Sequence, residues 1–203
     1  MRPGKIVAVG KNYLDHVREM GGSVPSVEPI LFMKPPSAVI ADGESIMLPS
    51  RSDRVEFEGE LVAVIGTSVS NAPSEEAALA AVRGYCAGND VTARDLQAID
   101  GQWTRAKGFD TFCPLGPMVT GIDASDLAIA TRVNGAVHQQ SRTSQMLRSV
   151  GELIVFISAV MTLEEGDAIF TGTPAGVGPL NDGDVVEVEI ENVGTLRNPV
   201  RRQ

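Results

Sequence analysis

Histidine is nearly absent from this sequence. Its 203 residues hold two, His16 and His138. That excludes a His-rich zinc site, and any Ser-His-Asp arrangement that does not use one of these two. Cysteine is equally scarce. Cys86 and Cys113 form no CxxC, and they read as small buried side chains rather than a disulfide or a metal site. A reducing, cytoplasmic location is the expectation. No GxSxG, GxGxxG or GxxxxGK occurs. Positive charge is in short supply, with 17 Lys and Arg against 26 Asp and Glu and a formal net charge of −9. No basic stripe appears, so nucleic acid is not an expected partner. An anionic substrate would need local help from a metal or a few placed cations. The longest apolar run, LIVFISAVM at 153–161, is too short to span a bilayer. The opening MRPGKIVAVGKNY has too short an apolar core for a signal peptide.

What is present suits one domain over 1–203, since 43% of the residues are hydrophobic, enough for a sizeable core. No internal repeat or low-complexity linker interrupts it. KIVAV at 5–9 predicts a short strand, and the spacing after it a helix at about 12–20, with Asn12 as its cap. ILFMK at 30–34 predicts a buried strand, and 37–48 two short strands around Asp42-Gly43. A strand is expected over 54–66, and a helix opening at Pro73 and ending at Gly84. GYCAGNDVT reads as a strand, ARDLQ as the start of a short helix or turn, and 98–117 as loop. Asn134-Gly135 between 127–133 and 136–140 is a two-residue hairpin signal. Ser149 and Glu152 form a capping box ahead of LIVFISAVM. AIFTG and 184–191 complete the strands. Many short strands with three helices predict an α+β fold around a large mixed sheet.

The acids draw attention. In VEFEGELVAVIG, residues 55–66, Glu56, Glu58 and Glu60 share one face of a strand. VEVEIE at 186–191 is an internal comparison, a half-buried strand with a solvated acidic side. The first stretch differs because LVAVI is apolar on both faces, so its acids approach a core. Crowded carboxylates repel unless they protonate or find a cation. Asp90, in GNDVTARD, adds a third acid at the end of another strand. Two acids two apart plus one from a neighbouring strand suit an octahedral metal with positions left open. Carboxylate ligands favour Mg2+ or Mn2+ over zinc. By spacing alone, solvated acids remain an alternative.

The segments GKNYLDHVREMG, ILFMKP, EFEGELVAVIG, GNDVTARDLQ, WTRAKGFDTFCPLGP, VNG and FTGTPAGVGPL run in the order seen in the fumarylacetoacetate hydrolase family. The chain resembles that family from about residue 5 to residue 200, and within it the compact acylpyruvate hydrolase and oxaloacetate decarboxylase branch, without the extra N-terminal domain of longer members. The resemblance implies a sandwich-like β-roll with a few short helices. It implies one divalent ion per subunit, Mg2+ or Mn2+, on Glu58, Glu60 and Asp90, with Glu56 solvated or supporting them. His16 and Glu19 would be a water-activating pair on a mobile lid helix at about 12–20, hinged by the glycines at 21–22 and the stretch to Pro29. Lys107 would be catalytic, and Lys34, Arg94, Gln97 and Thr173 would contact substrate. For each of these a plain reading stands beside it: an exposed helix pair, a solvated lysine, a structural salt bridge, a tight turn. His138 is expected at the surface with no role.

The expected activity is cleavage of a carbon–carbon bond in short 3-acylpyruvates, and also decarboxylation of oxaloacetate. The expected partners are a small anionic dioxo or oxo acid and a second copy of the chain, with no nucleic acid and no membrane. The alternatives are a fumarylpyruvate hydrolase, an isomerase or decarboxylase of aromatic catabolism, a sugar-acid dehydratase, or a non-catalytic metal- or ligand-binding protein.

Overall fold

A computed structural model describes residues 3–21 and 28–203. The expected hinge stretch falls largely on 22–27, outside the described residues. Two five-stranded sheets dominate. The first runs Ile30–Lys34, Ile6–Gly10, Ala168–Phe170, Gly59–Ile65, Val82–Asn89, with a parallel pairing between Ile6–Gly10 and Ala168–Phe170. The second runs Ala136–Arg142, Ala128–Val133, Val185–Ile190, Gly194–Arg202, Ile46–Leu48, and its last pairing is parallel. The α+β character expected from the pattern holds, but in place of one large sheet there are two five-stranded sheets, with a three-stranded and a two-stranded one beside them among the described residues.

The alternation along each strand explains the layering. Leu61, Ala63 and Ile65 join one core cluster with Ile129, Val188 and Ile190 of the second sheet. Val62 and Val64 face the other way, into a cluster with Ile6, Ala8 and Phe170. The first sheet is therefore covered on both faces, as LVAVI requires. In Val185–Ile190, Val186, Val188 and Ile190 are directed into the core while Glu189 stays exposed.

Five α-helices are present among the described residues: α1 (Leu14–Glu19), α2 (Glu75–Ala80), α3 (Arg94–Asp100), α4 (Thr104–Lys107) and α5 (Val150–Val160). Ser149 and Glu152 make the capping box of α5 in both directions. Asn134 and Gly135 take φ of 52° and 81°, the geometry a tight hairpin turn needs. No helix among the described residues is long and apolar enough to cross a membrane.

Several local expectations shift. Asn12 does not cap α1. Its amide donates to the Thr171 and Arg148 carbonyls at 2.7 and 3.1 Å, and Tyr13 takes the cap position without a side-chain bond. The helix begun near Pro73 stops at Ala80, because Val82 onward pairs with Gly59–Ile65. Ladder bonds there outcompete a weak helix end. The short strands between 37 and 48 do not pair with each other: Val39–Ile40 joins Cys113–Pro114, and Ile46–Leu48 joins the C-terminal strand. That strand, Gly194–Arg202, is additional to those expected. The loop at 98–117 contains α4 and the end of α3.

Candidate active site

The strand expected over 54–66 breaks at Glu58. Val55–Phe57 pairs with Gly178–Pro179 and Thr92–Ala93, whereas Gly59–Ile65 belongs to the first large sheet. Glu58 is the residue between two sheets. Its amide donates to Asn89 Oδ1 at 2.9 Å, and the Asp90 amide donates back to the Glu58 carbonyl at 2.8 Å. These bonds hold the two strand ends together and bring the acids into register. One oxygen from each of Glu58, Glu60 and Asp90 lies within 4.8 Å of the others. All three are buried, at 5%, 2% and 0% exposure.

Their cationic neighbours are unevenly shared. Lys107 Nζ lies between Glu58 Oε2 at 2.9 Å and Asp90 Oδ2 at 2.6 Å. Lys34 Nζ lies 2.5 Å from Asp90 Oδ1, and Arg94 pairs with Glu58 at 2.5 Å. Burial pushes Glu58 upward, but Lys107 and Arg94 outweigh it and hold the carboxyl well below the usual range. Glu60 forms no ion pair among the described residues; it accepts the Gly172 amide at 2.6 Å. Burial, then the charges of Asp90 and Glu58, raise it well above the usual range. Burial alone would lower Lys107, but Asp90 and Glu58 reverse that and raise it, so its ammonium stays charged. A buried all-oxygen set, one member of which lacks a cation, has the chemistry of a site for a hard divalent ion. The triad can hold one.

A cavity of about 350 Å³ opens on these acids. Its polar lining includes His16, Arg94, Gln97, Lys107 and Thr173, and its apolar lining Phe32, Trp103 and Met20. The Trp103 ring packs so closely on the first strand that a Cβ on Gly10 would meet it at 2.9 Å. Phe32 stands edge-on to it at 5.2 Å. A larger hollow of about 740 Å³, beside Tyr85 and the start of α5, contains none of the expected site residues.

α1 covers one side of the cavity. His16 is 6% exposed, and its Nδ1 lies 3.2 Å from Glu19 Oε2. The other Glu19 oxygen accepts the Gly176 amide at 3.0 Å. Lys34 lies behind Asp90, off the cavity wall, and its ammonium donates there and to the Val91 carbonyl. Arg94 lines the cavity with its donors already directed at protein groups: Glu56, Glu58 and Gln97 Oε1. The Thr173 hydroxyl donates to the Gly59 carbonyl at 2.9 Å and accepts from Gln139 at 2.7 Å. Glu56 is 1% exposed and paired with Arg54 and Arg94, so it is not a solvated acid. His138 is exposed, edge-on to Phe57 at 5.5 Å. Cys86 and Cys113 are free and buried.

Sequence reasoning missed Trp103, Phe32, Asn89 and Gln139. A single tryptophan in a glycine-rich loop was a usable signal for the first. Gln139 lies on a strand whose neighbours are mostly exposed, and no local pattern marks it.

The sequence profile described as fumarylacetoacetate (FAA) hydrolase C-terminal matches residues 5–201. The chain belongs to the fumarylacetoacetate hydrolase family. One similar member, oxaloacetate tautomerase FAHD2A, mitochondrial, of Bos taurus, is 45% identical over 212 residues, covering 98% of this chain and 67% of that protein. A 5-carboxymethyl-2-hydroxymuconate delta-isomerase from Mycobacterium smegmatis has a structure that superposes with a TM-score of 0.93 at 51% identity, over 100% of this chain and 80% of that one. A fumarylpyruvate hydrolase from Pseudomonas aeruginosa, in complex with Mn2+ and pyruvate, gives 0.92 at 34% identity, over 98% and 90%. Fumarylacetoacetate hydrolase family members of this kind are enzymes: hydrolases, isomerases and oxaloacetate-processing proteins.

Proposed function

We propose that this chain is a divalent-metal-dependent hydrolase of short 3-acylpyruvates (2,4-dioxo acids), splitting the C3–C4 bond to give pyruvate and a carboxylic acid, and that the same site decarboxylates oxaloacetate. The observation that carries this reading is one cavity holding both the Glu58, Glu60 and Asp90 cluster and the His16 ring backed by Glu19. A Mg2+ or Mn2+ ion held by the three carboxylates, one per subunit, would supply Lewis acidity toward the substrate's carboxylate and 2-oxo oxygens.

The chain's own groups do the rest. With His16 Nδ1–H directed at Glu19, Nε2 takes a proton from the water that attacks C4. The C3–C4 bond breaks with its electron pair passing to the pyruvyl unit, and a proton at C3 completes pyruvate. The Lys107 ammonium stabilises the negative charge that develops there. Gln97, whose carbonyl oxygen is taken by Arg94, presents its amide donors to substrate. Lys34 and Thr173 act one step back in this proposal, by holding Asp90 and Gly59. α1 is the lid, excluding bulk water when shut. The proposal includes a homodimer in the cytoplasm, with light scattering as the check on the dimer.

A second reading is keto–enol isomerisation of an oxo acid. It needs the same pyruvyl enolate but no attacking water, and the similarity to the Bos taurus tautomerase favours it. One panel separates the two: an acylpyruvate, fumarylpyruvate and oxaloacetate, each with Mg2+ or Mn2+ and against metal-stripped protein. Hydrolysis well above the stripped control supports the first reading. Enol–keto exchange of oxaloacetate without hydrolysis supports the second. No turnover of any kind returns the chain to a binding protein.

A further inference from the structure

Gly59 stands between two members of the acidic triad, and its surroundings come from the other sheet. A Cβ there would meet Thr131 Oγ1 at 2.0 Å and Gln139 Oε1 at 3.2 Å, so the strand bearing the acids lies directly on the hairpin Ala128–Arg142. Gln139 is 0% exposed, and its amide is fully engaged. Oε1 accepts the Gly59 amide at 2.9 Å. Nε2 donates to Thr173 Oγ1 and to the Pro174 carbonyl, both at 2.7 Å. The Thr173 hydroxyl returns to the Gly59 carbonyl at 2.9 Å. The circuit closes on both sides of one peptide residue.

The same strand shapes the segment that receives α1. A Cβ on Gly176 would lie 2.0 Å from the His138 carbonyl oxygen, and Gly176 has φ +101°, a backbone conformation open to glycine. Its amide is the one that Glu19 accepts. One buried carboxamide thus connects the strand junction that carries Glu58 and Glu60 with the segment that catches the acid of α1.

We infer that Gln139 is a positioning residue that couples the Glu58–Gly59–Glu60 strand junction to the docking of α1. It touches neither substrate nor the reacting atoms. The proposal rests on the functional reading above only for its catalytic consequence; the mechanical link stands on the hydrogen bonds. A supporting bond behind a ligand commonly affects metal affinity by about 10–100-fold. Here one side chain would make the cluster and the lid respond together.

Amide hydrogen exchange tests the link with or without a metal. In Gln139→Met, exchange at Gly59 and at Gly176 should both quicken, by about tenfold, while Gln140→Ala, the exposed neighbour, changes neither. Gln139→Glu keeps the acceptor for Gly59 and loses at least one donor to the 173–174 segment. It should release Gly176 while protecting Gly59, and it serves if the methionine variant does not fold. Mn2+ titration by calorimetry should show weakening in Gln139→Met. Gly176 protection unchanged in both variants overturns the coupling. Exchange that quickens across the whole second sheet, with Mn2+ affinity unchanged, also overturns it, because that is a general loss of stability. A wild-type protein that binds no Mn2+ would defeat the metal reading, and the exchange pattern would still decide the role of Gln139.

Discussion

Glu19 Oε1 accepts the amide of Gly176 at 3.0 Å, across 157 residues of chain, while Oε2 of the same carboxylate meets His16 Nδ1. The acid that orients the histidine is therefore also the acid that fastens α1 to the rest of the site. One carboxylate thus holds both the His16 ring and the Gly176 backbone.

That sets the first expected outcome. His16→Ala and Glu19→Ala should each depress acylpyruvate hydrolysis by about 10²–10⁴-fold, the usual cost of losing a general base. Oxaloacetate decarboxylation, which needs no attacking water, should fall less. The double variant should resemble the singles, because the pair acts as a unit. The measurement is the ratio of the two activities in all three proteins. Hydrolysis that survives in His16→Ala while decarboxylation collapses would make α1 a closure element for oxaloacetate instead.

Glu58→Gln, Glu60→Gln and Asp90→Asn should each weaken Mn2+ binding and nearly abolish turnover, since each removes an anionic oxygen ligand. Glu56→Gln should keep the ion but lower fold stability on the order of 2 kcal/mol, because the half-buried Arg94 exchanges one of its two carboxylate partners for a neutral amide. Calorimetric titration and urea melts separate the two outcomes. Metal loss in Glu56→Gln alone would place the ligands wrongly.

Lys107→Met removes a buried cation from between Glu58 and Asp90. The metal-free protein should become less stable, as Glu58 and Asp90 lose the ammonium they share and keep only Arg94 and Lys34. Mn2+ should then raise the melting temperature more than it does in the wild type. Both activities should fall together, because both pass through the pyruvyl enolate. A variant that stays fully active on both substrates removes Lys107 from the chemistry.

Burial pushes the thiols of Cys86 and Cys113 from 9.0 up to about 12. Below pH 9 folded and unfolded chains both keep these protons, so they add no pH dependence. Between about 9 and 12 the unfolded chain releases protons that the folded one retains, and stability falls as pH rises. Each thiol contributes a slope of about 1.4 kcal/mol per pH unit there. Urea melts at pH 7.5 and 10 should show this loss, reduced in the Cys86→Ala, Cys113→Ala double variant. An equal slope in both proteins would refute it.

Local chemistry already determined much of this protein. Asn134-Gly135 specified its hairpin because those residues accept positive φ, and Ser149 with Glu152 specified the start of α5 because both halves of the cap lie within four residues. The two-sided apolar run after Glu60 indicated a strand buried on both faces. The order of the family segments singles out Glu58, Glu60, Asp90, His16 and Glu19. Tertiary structure decided the rest. It broke the acidic strand at Glu58, because Phe57 and Gly59 pair with different sheets. It set Lys34 behind Asp90 and engaged the donors of Arg94 with Glu56, Glu58 and Gln97. It buried Gln139 on a strand of exposed neighbours, bonded to Gly59 from 80 residues away. Periodicity and capping are written within a few residues of chain, whereas strand partners and buried side-chain bonds depend on which distant segments the core brings together.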